Sequence, residues 1–234
     1  MDKIATPKGE LTVEDNAIVK YLGEDSVISI PYGIDSISDL AFFKKGNIRR
    51  LDIPNSVKKI GKLSLYQMTG LQELKLPEEL EAVGEDACAM LTVKELTIHK
   101  GVKTISKGAF SHNQFLKKLT LNEGLVEIGE SAFRLSKAIA QLEIPRSVKK
   151  IGAYAFDGCT SLRTLAFGEG LEVIDMYAFN GCQLLCQVEI PSTVKKIGYG
   201  AFPDSKRLTI VCHDPKNIPN GWNIGKNIKL KKKS

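Results

Sequence analysis

Hydrophobic positions return along the chain in a fixed order: an aliphatic residue, two variable residues, an aliphatic, three residues, then Ala and an aromatic. The last position falls on Phe42, Leu65, Cys88, Phe110, Phe133, Phe156, Phe179 and Phe202, in steps of 23, 23, 22, 23, 23, 23 and 23 residues. A constant period of this size predicts stacked coils, each completing its core against its neighbours. Residues 142–162 show what one coil contains. Leu142 and Ile144 alternate with Glu143, the period-2 mark of a strand with one buried face. Pro145 has no amide to give a ladder and ends that strand. Val148 and Ile151 return to the core, and Gly152 permits a turn that a side chain would hinder. Ala155, Phe156, Cys159 and Leu162 then fall at helical spacing and predict a short helical or 3-10 turn.

Stacking the coils checks this assignment. One column reads Ile30, Ile53, Leu76, Ile98, Leu121, Ile144, Phe167 and Ile190, another Ile37, Ile60, Val83, Ile105, Ile128, Ile151, Ile174 and Ile197, and none of these is polar. The fold expected is an α/β repeat: a solenoid with one parallel sheet of about eight coils, ~40 Å long at the usual strand spacing, and short turns opposite. Ser64-Leu65 and Ala87-Cys88 break the Ala-Phe column, which predicts looser packing or a local rearrangement there. The organisation read from the pattern is one structural domain. Residues 1–25 form an N-terminal cap, with Leu11, Val13, Ile18 and Val19 covering the first coil, and residues 26–203 hold eight repeats. Residues 204–225 form a C-terminal cap, with the strand Leu208-Thr209-Ile210 three residues early and Trp222 as a lid, and 226–234 are a Lys-rich tail.

The charged positions carry a second regularity. Between the second and third core positions stand Asp35-Ser36, Lys58-Lys59, Glu81-Ala82, Lys103-Thr104, Val126-Glu127, Lys149-Lys150, Glu172-Val173 and Lys195-Lys196, so acidic and basic coils alternate. Opposite charges should face each other one strand spacing apart, as an exposed ladder that sets register rather than as a nucleic-acid site.

The runs Ile-Pro-x-[Ser/Thr]-Val-Lys-Lys-Ile-Gly-x-x-Ala-Phe at 144–156 and 190–202 resemble the BspA-like leucine-rich repeats of bacterial surface proteins. So do Phe-x-Gly-Cys-x-x-Leu at 156–162 and 179–185, the opening at 21–34 and Pro219-Asn220-Gly221-Trp222 near the close. That resemblance implies a right-handed leucine-rich-repeat solenoid used for adhesion or protein recognition, without catalysis or cofactor. It also implies a secreted or surface location. The opening Met1-Asp2-Lys3-Ile4 shows no leader, and no Leu-Pro-x-Thr-Gly sorting signal is seen, so a cytoplasmic chain is expected if Met1 is the native start.

Composition changes this picture little. The chain is 43% apolar and 26% charged, as folded soluble domains are. No apolar run approaches the ~18 residues of a membrane span. The formal charge of +6 is mostly a terminal effect: Lys226, Lys229, Lys231, Lys232 and Lys233 supply five of the charges, and the rest sums to about +1. Cys88, Cys159, Cys182, Cys186 and Cys212 show no metal spacing, and His99, His112 and His213 lie in different columns. Gly168-x-Gly170 leads into a core segment rather than a phosphate-cradling helix. No nucleophile, base and oxyanion site assemble, so neither an enzyme nor a bound metal or cofactor is expected.

Two surfaces remain. The column at which each strand starts carries Arg49, Lys94, Lys117, Arg163 and Lys206, with Arg50, Lys118 and Arg207 beside it, and no acidic residue. This basic rim suits an acidic protein ligand or a surface glycan steered by the summed field. The array lacks the stacking platform of single-strand binders, which argues against nucleic acid. Tyr154 and Tyr177 share a column, with Tyr199 nearby, and form a candidate interface patch. The expectation is a monomeric recognition scaffold, and the alternative is an assembly protein forming homo-oligomers through its ends or this patch.

Overall fold

The computed structural model describes residues 1–203, 207–212 and 229–232. The chain winds into stacked coils, and hydrogen bonds tie neighbouring coils together at three places around the circumference. The first is the ribbon of strands expected from the Leu-x-Ile alternation. Glu95–Ile98 and Lys118–Leu121 pair in parallel with Leu96 opposite Leu119 and Ile98 opposite Leu121, while Lys118 and Thr120 face outward. Val27–Ser29 with Arg50–Asp52, and Gln141–Ile144 with Thr164–Phe167, pair the same way. Gln187–Glu189, Thr209–Cys212 and Lys229–Lys232 make a set of three.

The second place is the longer sheet. Eight two-residue strands, from Ser36–Ile37 to Lys196–Ile197, stack in parallel through the second core column, whose isoleucines and Val83 are at most 1% exposed. The single parallel sheet of the sequence reading thus resolves into two ladders. Alternation reveals that one face is buried, but it is silent on whether adjacent strand edges meet. Gly152 also has a reason other than its conformation. A Cβ there would stand 2.8 Å from the amide nitrogen of Glu130, so the glycine allows one coil's backbone to approach the next.

The third place is the turn segment around the aromatic column. The residue two before each aromatic has positive φ: Leu40, Leu63, Asp86, Gly108, Ser131, Tyr154, Tyr177 and Gly200. The residue two after it does so as well, from Lys44 to Gly181. Alternating right- and left-handed residues turns every second amide along the stack. Tyr154, Phe156 and Gly158 donate to the carbonyls of Met176, Ala178 and Asn180 at 3.0, 2.7 and 2.8 Å, while Ala155 and Asp157 donate within their own coil. A helix would spend all of these amides on itself. The segment with helical spacing is therefore a run of linked turns, and no helix occurs among the described residues. Ala155, Phe156, Cys159 and Leu162 are all buried, which is what their spacing encodes.

Inside, the rings of Phe110, Phe133, Phe156, Phe179 and Phe202 stack nearly parallel at 5.3–5.5 Å between centroids. Tyr21 lies 5.8 Å from Phe42 at the other end. Leu65 and Cys88 interrupt the stack, and the rearrangement expected there is present. Residues 73–76, in the coil that follows Leu65, pair with neither flanking strand, and the Ser64 hydroxyl is buried without a partner among the described residues.

At the N-terminus, β1 (Asp2–Thr6), β2 (Gly9–Glu14) and β3 (Ala17–Gly23) form an antiparallel meander. A tight turn with positive φ at Asp15 and Asn16 joins β2 to β3, and β3 then pairs in parallel with Ser36–Ile37. Leu11, Val13 and Ile18 are buried over the first coil and Val19 is half-buried. The buried Asp25 carboxylate ties this meander down by accepting from the Thr6 hydroxyl at 2.5 Å, the Tyr21 hydroxyl at 2.8 Å and the Lys8 amide at 3.0 Å. Two terminal expectations need correction. The last repeat strand is not three residues early: Val188 pairs with Ile210, a step of 22. Leu208, Ile210, Val211 and Cys212 are all buried, so this run has no alternation to fix its register. Nor is the Lys-rich tail wholly a solvated end, because Lys229–Lys232 adds a parallel strand to Thr209–Cys212. Trp222, expected as a lid, lies outside the described residues.

Candidate binding surface

The charge ladder predicted from alternating coils is largely neutralised by pairs within the molecule. Glu127 accepts from Lys150 at 2.8 Å, and Glu172 is held by Lys195 at 2.7 Å on one side and Lys149 at 3.9 Å on the other. Lys58 reaches Glu81 at 3.6 Å. The same rule extends to neighbouring columns, in Lys62 with Glu85 at 2.8 Å and Lys107 with Glu130 at 2.9 Å. The lysine neighbours hold the Glu172 and Glu85 carboxyls below their ordinary range. These lysines are occupied, while Lys59 and Lys103 of the same columns have no ion pair among the described residues.

The strand-start rim differs. Arg49, Lys94, Lys117, Lys118 and Arg163 are exposed and have no ion pair among the described residues. Arg50 is the exception, donating from Nε to Asp52 in its own strand at 2.8 Å. The basic residues fall into clusters rather than one continuous stripe. Lys117 donates its amide to the Lys94 carbonyl at 2.8 Å, so Lys94, Lys117 and Lys118 sit together. Arg49 neighbours Gln72, and Arg163 neighbours Ala140. Lys206 lies outside the described residues. The register of the last strands places Leu208, not Arg207, in the column with Cys186, so exposed Arg207 sits one residue off the rim.

The strand face has grooves that the columns did not foretell. No pairing joins Lys118–Leu121 to Gln141–Ile144, and a groove of about 430 Å³ opens between them, with Lys117, Lys118 and Glu143 at its margin. Residues 73–76 are flanked by grooves of about 370 Å³, beside Arg49 and Arg50, and about 490 Å³, beside Glu95 and His99. In the sequence the missing Phe at Leu65 and Cys88 and the step of 22 that follows mark the two grooves beside residues 73–76, and no such sign marks the one between 118–121 and 141–144.

The tyrosines are brought together on the turn side. Tyr154 stacks on Tyr177 at 5.1 Å, and Tyr199 meets Tyr177 edge-on at 5.5 Å. Arg134 lies 5.9 Å over Tyr154 and bridges to Asp157 at 3.0 Å, so Tyr154 and Tyr177 form a half-buried spine. Only Tyr199, at 61% exposure, and neighbouring Met176, at 45%, present much surface. None of the five cysteines is in a disulfide. Burial raises the Cys159 thiol and pushes Cys182 up to about 12, so neither is a ready nucleophile. His112 Nδ1 lies 3.3 Å from the Ser111 hydroxyl, and His213 lies outside the described residues. Among the described residues no group of three His, Cys, Asp or Glu side chains is placed to hold a metal, and no helix is long and apolar enough to cross a membrane.

The sequence profile of the BspA type leucine rich repeat region matches residues 25–117 and 84–209, with six copies. Curated protein sequences give no match. Among solved structures, a leucine-rich repeat protein from Bacteroides ovatus is similar over 98% of this chain, with a TM-score of 0.78 and 21% identity. This chain spans 58% of that protein. The leucine rich repeat protein of T. pallidum gives a TM-score of 0.54 at 21% identity, over 90% of this chain and 86% of its own. The pneumococcal vaccine antigen PcpA gives 0.51 at 19%, over 91% and 50%. Similarity at these identities speaks for the fold alone.

Proposed function

We infer that this chain, which belongs to the BspA-type leucine-rich repeat family, is a non-catalytic, adhesin-like recognition scaffold. It binds an acidic protein ligand along the strand face and its basic rim. Repeat scaffolds of this family are generally binding proteins, and the observation that carries the finer reading is a contrast of charges. On the ladder face Lys58, Lys149, Lys150 and Lys195 are paired to glutamates of neighbouring coils and only Lys59 and Lys103 are left over, whereas at the rim Arg49, Lys94, Lys117, Lys118 and Arg163 are exposed without an ion pair among the described residues. Unpaired charge of one sign on a rigid surface steers an oppositely charged ligand. Because the strands are already ordered by their inward leucines and isoleucines, little conformational entropy is lost on contact.

The test is a pulldown from surface extracts with the intact chain beside a variant carrying Ser at Arg49, Arg50, Lys94, Lys117, Lys118 and Arg163. The expected result is a specific ligand that the folded variant fails to retain. Equal capture by both would remove the rim from the account. Exposed Tyr199 and Met176 favour a second reading, self-assembly through the turn side. Light scattering over a range of concentrations separates the two: a constant monomer mass belongs to the recognition reading, and a rising mass that Tyr199→Ser abolishes belongs to assembly.

A further inference from the structure

Residues 73–76 break the strand ribbon in a way no other coil does. Leu74 and Leu76 point inward and are 4% and 5% exposed, as strand residues should be. Yet no backbone N–H or C=O of residues 73–76 makes a hydrogen bond to another described residue, while every strand of the ribbon pairs with at least one neighbour. Backbone polar groups are nearly always paired in a folded protein, and an exposed row of unpaired ones is a template for an added strand.

The surroundings state what could be added. Toward Glu95–Ile98 the gap is the groove of about 490 Å³, lined by Leu74, Leu76, Leu96, Glu78, Glu95 and His99, within the size range of sites that enclose a ligand. Glu73 is held by Lys75 at 3.4 Å, whereas Glu78 and Glu95 have no ion pair among the described residues. The charged groove side chains without an ion pair are therefore acidic, with Lys118 opposite Glu95 on the strand beyond the groove. The same edge of a second copy would set glutamate against glutamate and is a poor occupant.

We propose that residues 73–76 accept an extended, lysine- or arginine-rich segment of a partner protein, which adds to them as a strand with its cationic side chains at Glu78 and Glu95. This rests on the recognition reading and adds to it an acidic subsite beside the basic rim. Main-chain hydrogen bonds would supply affinity, and the two carboxylates would select for a basic sequence.

The test is fluorescence anisotropy with the full chain and a labelled five-residue probe of alternating Lys and Val, capped at both ends. The unmodified probe should bind saturably and more weakly as salt rises. N-methylation of its amides, which removes donors and leaves charge intact, should lower affinity about tenfold or more. Glu78→Gln with Glu95→Gln should weaken binding several-fold and flatten its salt dependence. A probe that does not bind, or an N-methylated probe that binds as well as the parent, overturns the proposal. Either result with rim-dependent capture intact removes this subsite alone, and failure of that capture as well removes the recognition reading with it.

Discussion

Ser64 stands where the seven other coils carry Ala, and its hydroxyl is buried with no partner among the described residues. An unmade buried hydrogen bond costs about 1–3 kcal/mol. Ser64→Ala should therefore raise the free energy of unfolding in urea by about 1 kcal/mol, against the usual direction of core truncations. Asp25 behaves oppositely. The Thr6 hydroxyl, then the Tyr21 hydroxyl and the Lys8 amide, hold its carboxyl below the ordinary value of 3.8 against the opposing effect of burial. A folded-state pKa lower than the unfolded one gives stability that is present above the unfolded value and lost as pH falls through the folded one. Asp25→Asn should thus lower the thermal midpoint at neutral pH, and the gap to the parent should close as pH drops below 3.8. Residues of this kind were unevenly legible. The aromatic column announced itself because its side chains must fill one core. The left-handed column did not, since it accepts residues as different as Leu40, Asp86, Ser131 and Tyr154. The constraint there is on backbone direction and leaves no mark in polarity.

At the level of the element, alternation located the strands, but their pairing was visible only where side chains depend on it. The charge ladder was readable because Glu127 and Lys150 must face each other across a fixed register, and they do at 2.8 Å. Glu172→Lys should place three basic coils in succession, lower the thermal midpoint in dilute buffer, and lose most of that effect in molar salt. The aromatic stack makes the larger contribution. Phe156 lies between Phe133 and Phe179 at 5.3 Å from each, and Phe156→Ala should cost about 3–5 kcal/mol in a denaturation experiment. The turn segment shows why the apolar pattern misled in one respect. Helical spacing reports which residues face inward, and a run of turns that donates alternate amides to the next coil buries the same set. The grooves escaped notice for a related reason. They arise where backbones fail to pair, and only the small residues at Leu65 and Cys88 hinted at where that happens.

For the whole molecule, repetition settles the architecture and leaves the two broad faces with opposite electrostatic fates. One ties most of its lysines into cross-coil pairs; the other leaves Arg49, Lys94, Lys117, Lys118 and Arg163 without an ion pair among the described residues. The rim was legible as a column, though only geometry shows that it divides into clusters and that Arg207 falls outside it. The most direct measurement is lysine acylation followed by mass spectrometry, with and without the ligand that the pulldown captures. The account predicts that bound ligand protects Lys94, Lys117 and Lys118 while Lys149, Lys150 and Lys195 react as before. Protection of the second set with no change in the first would contradict recognition through the strand face.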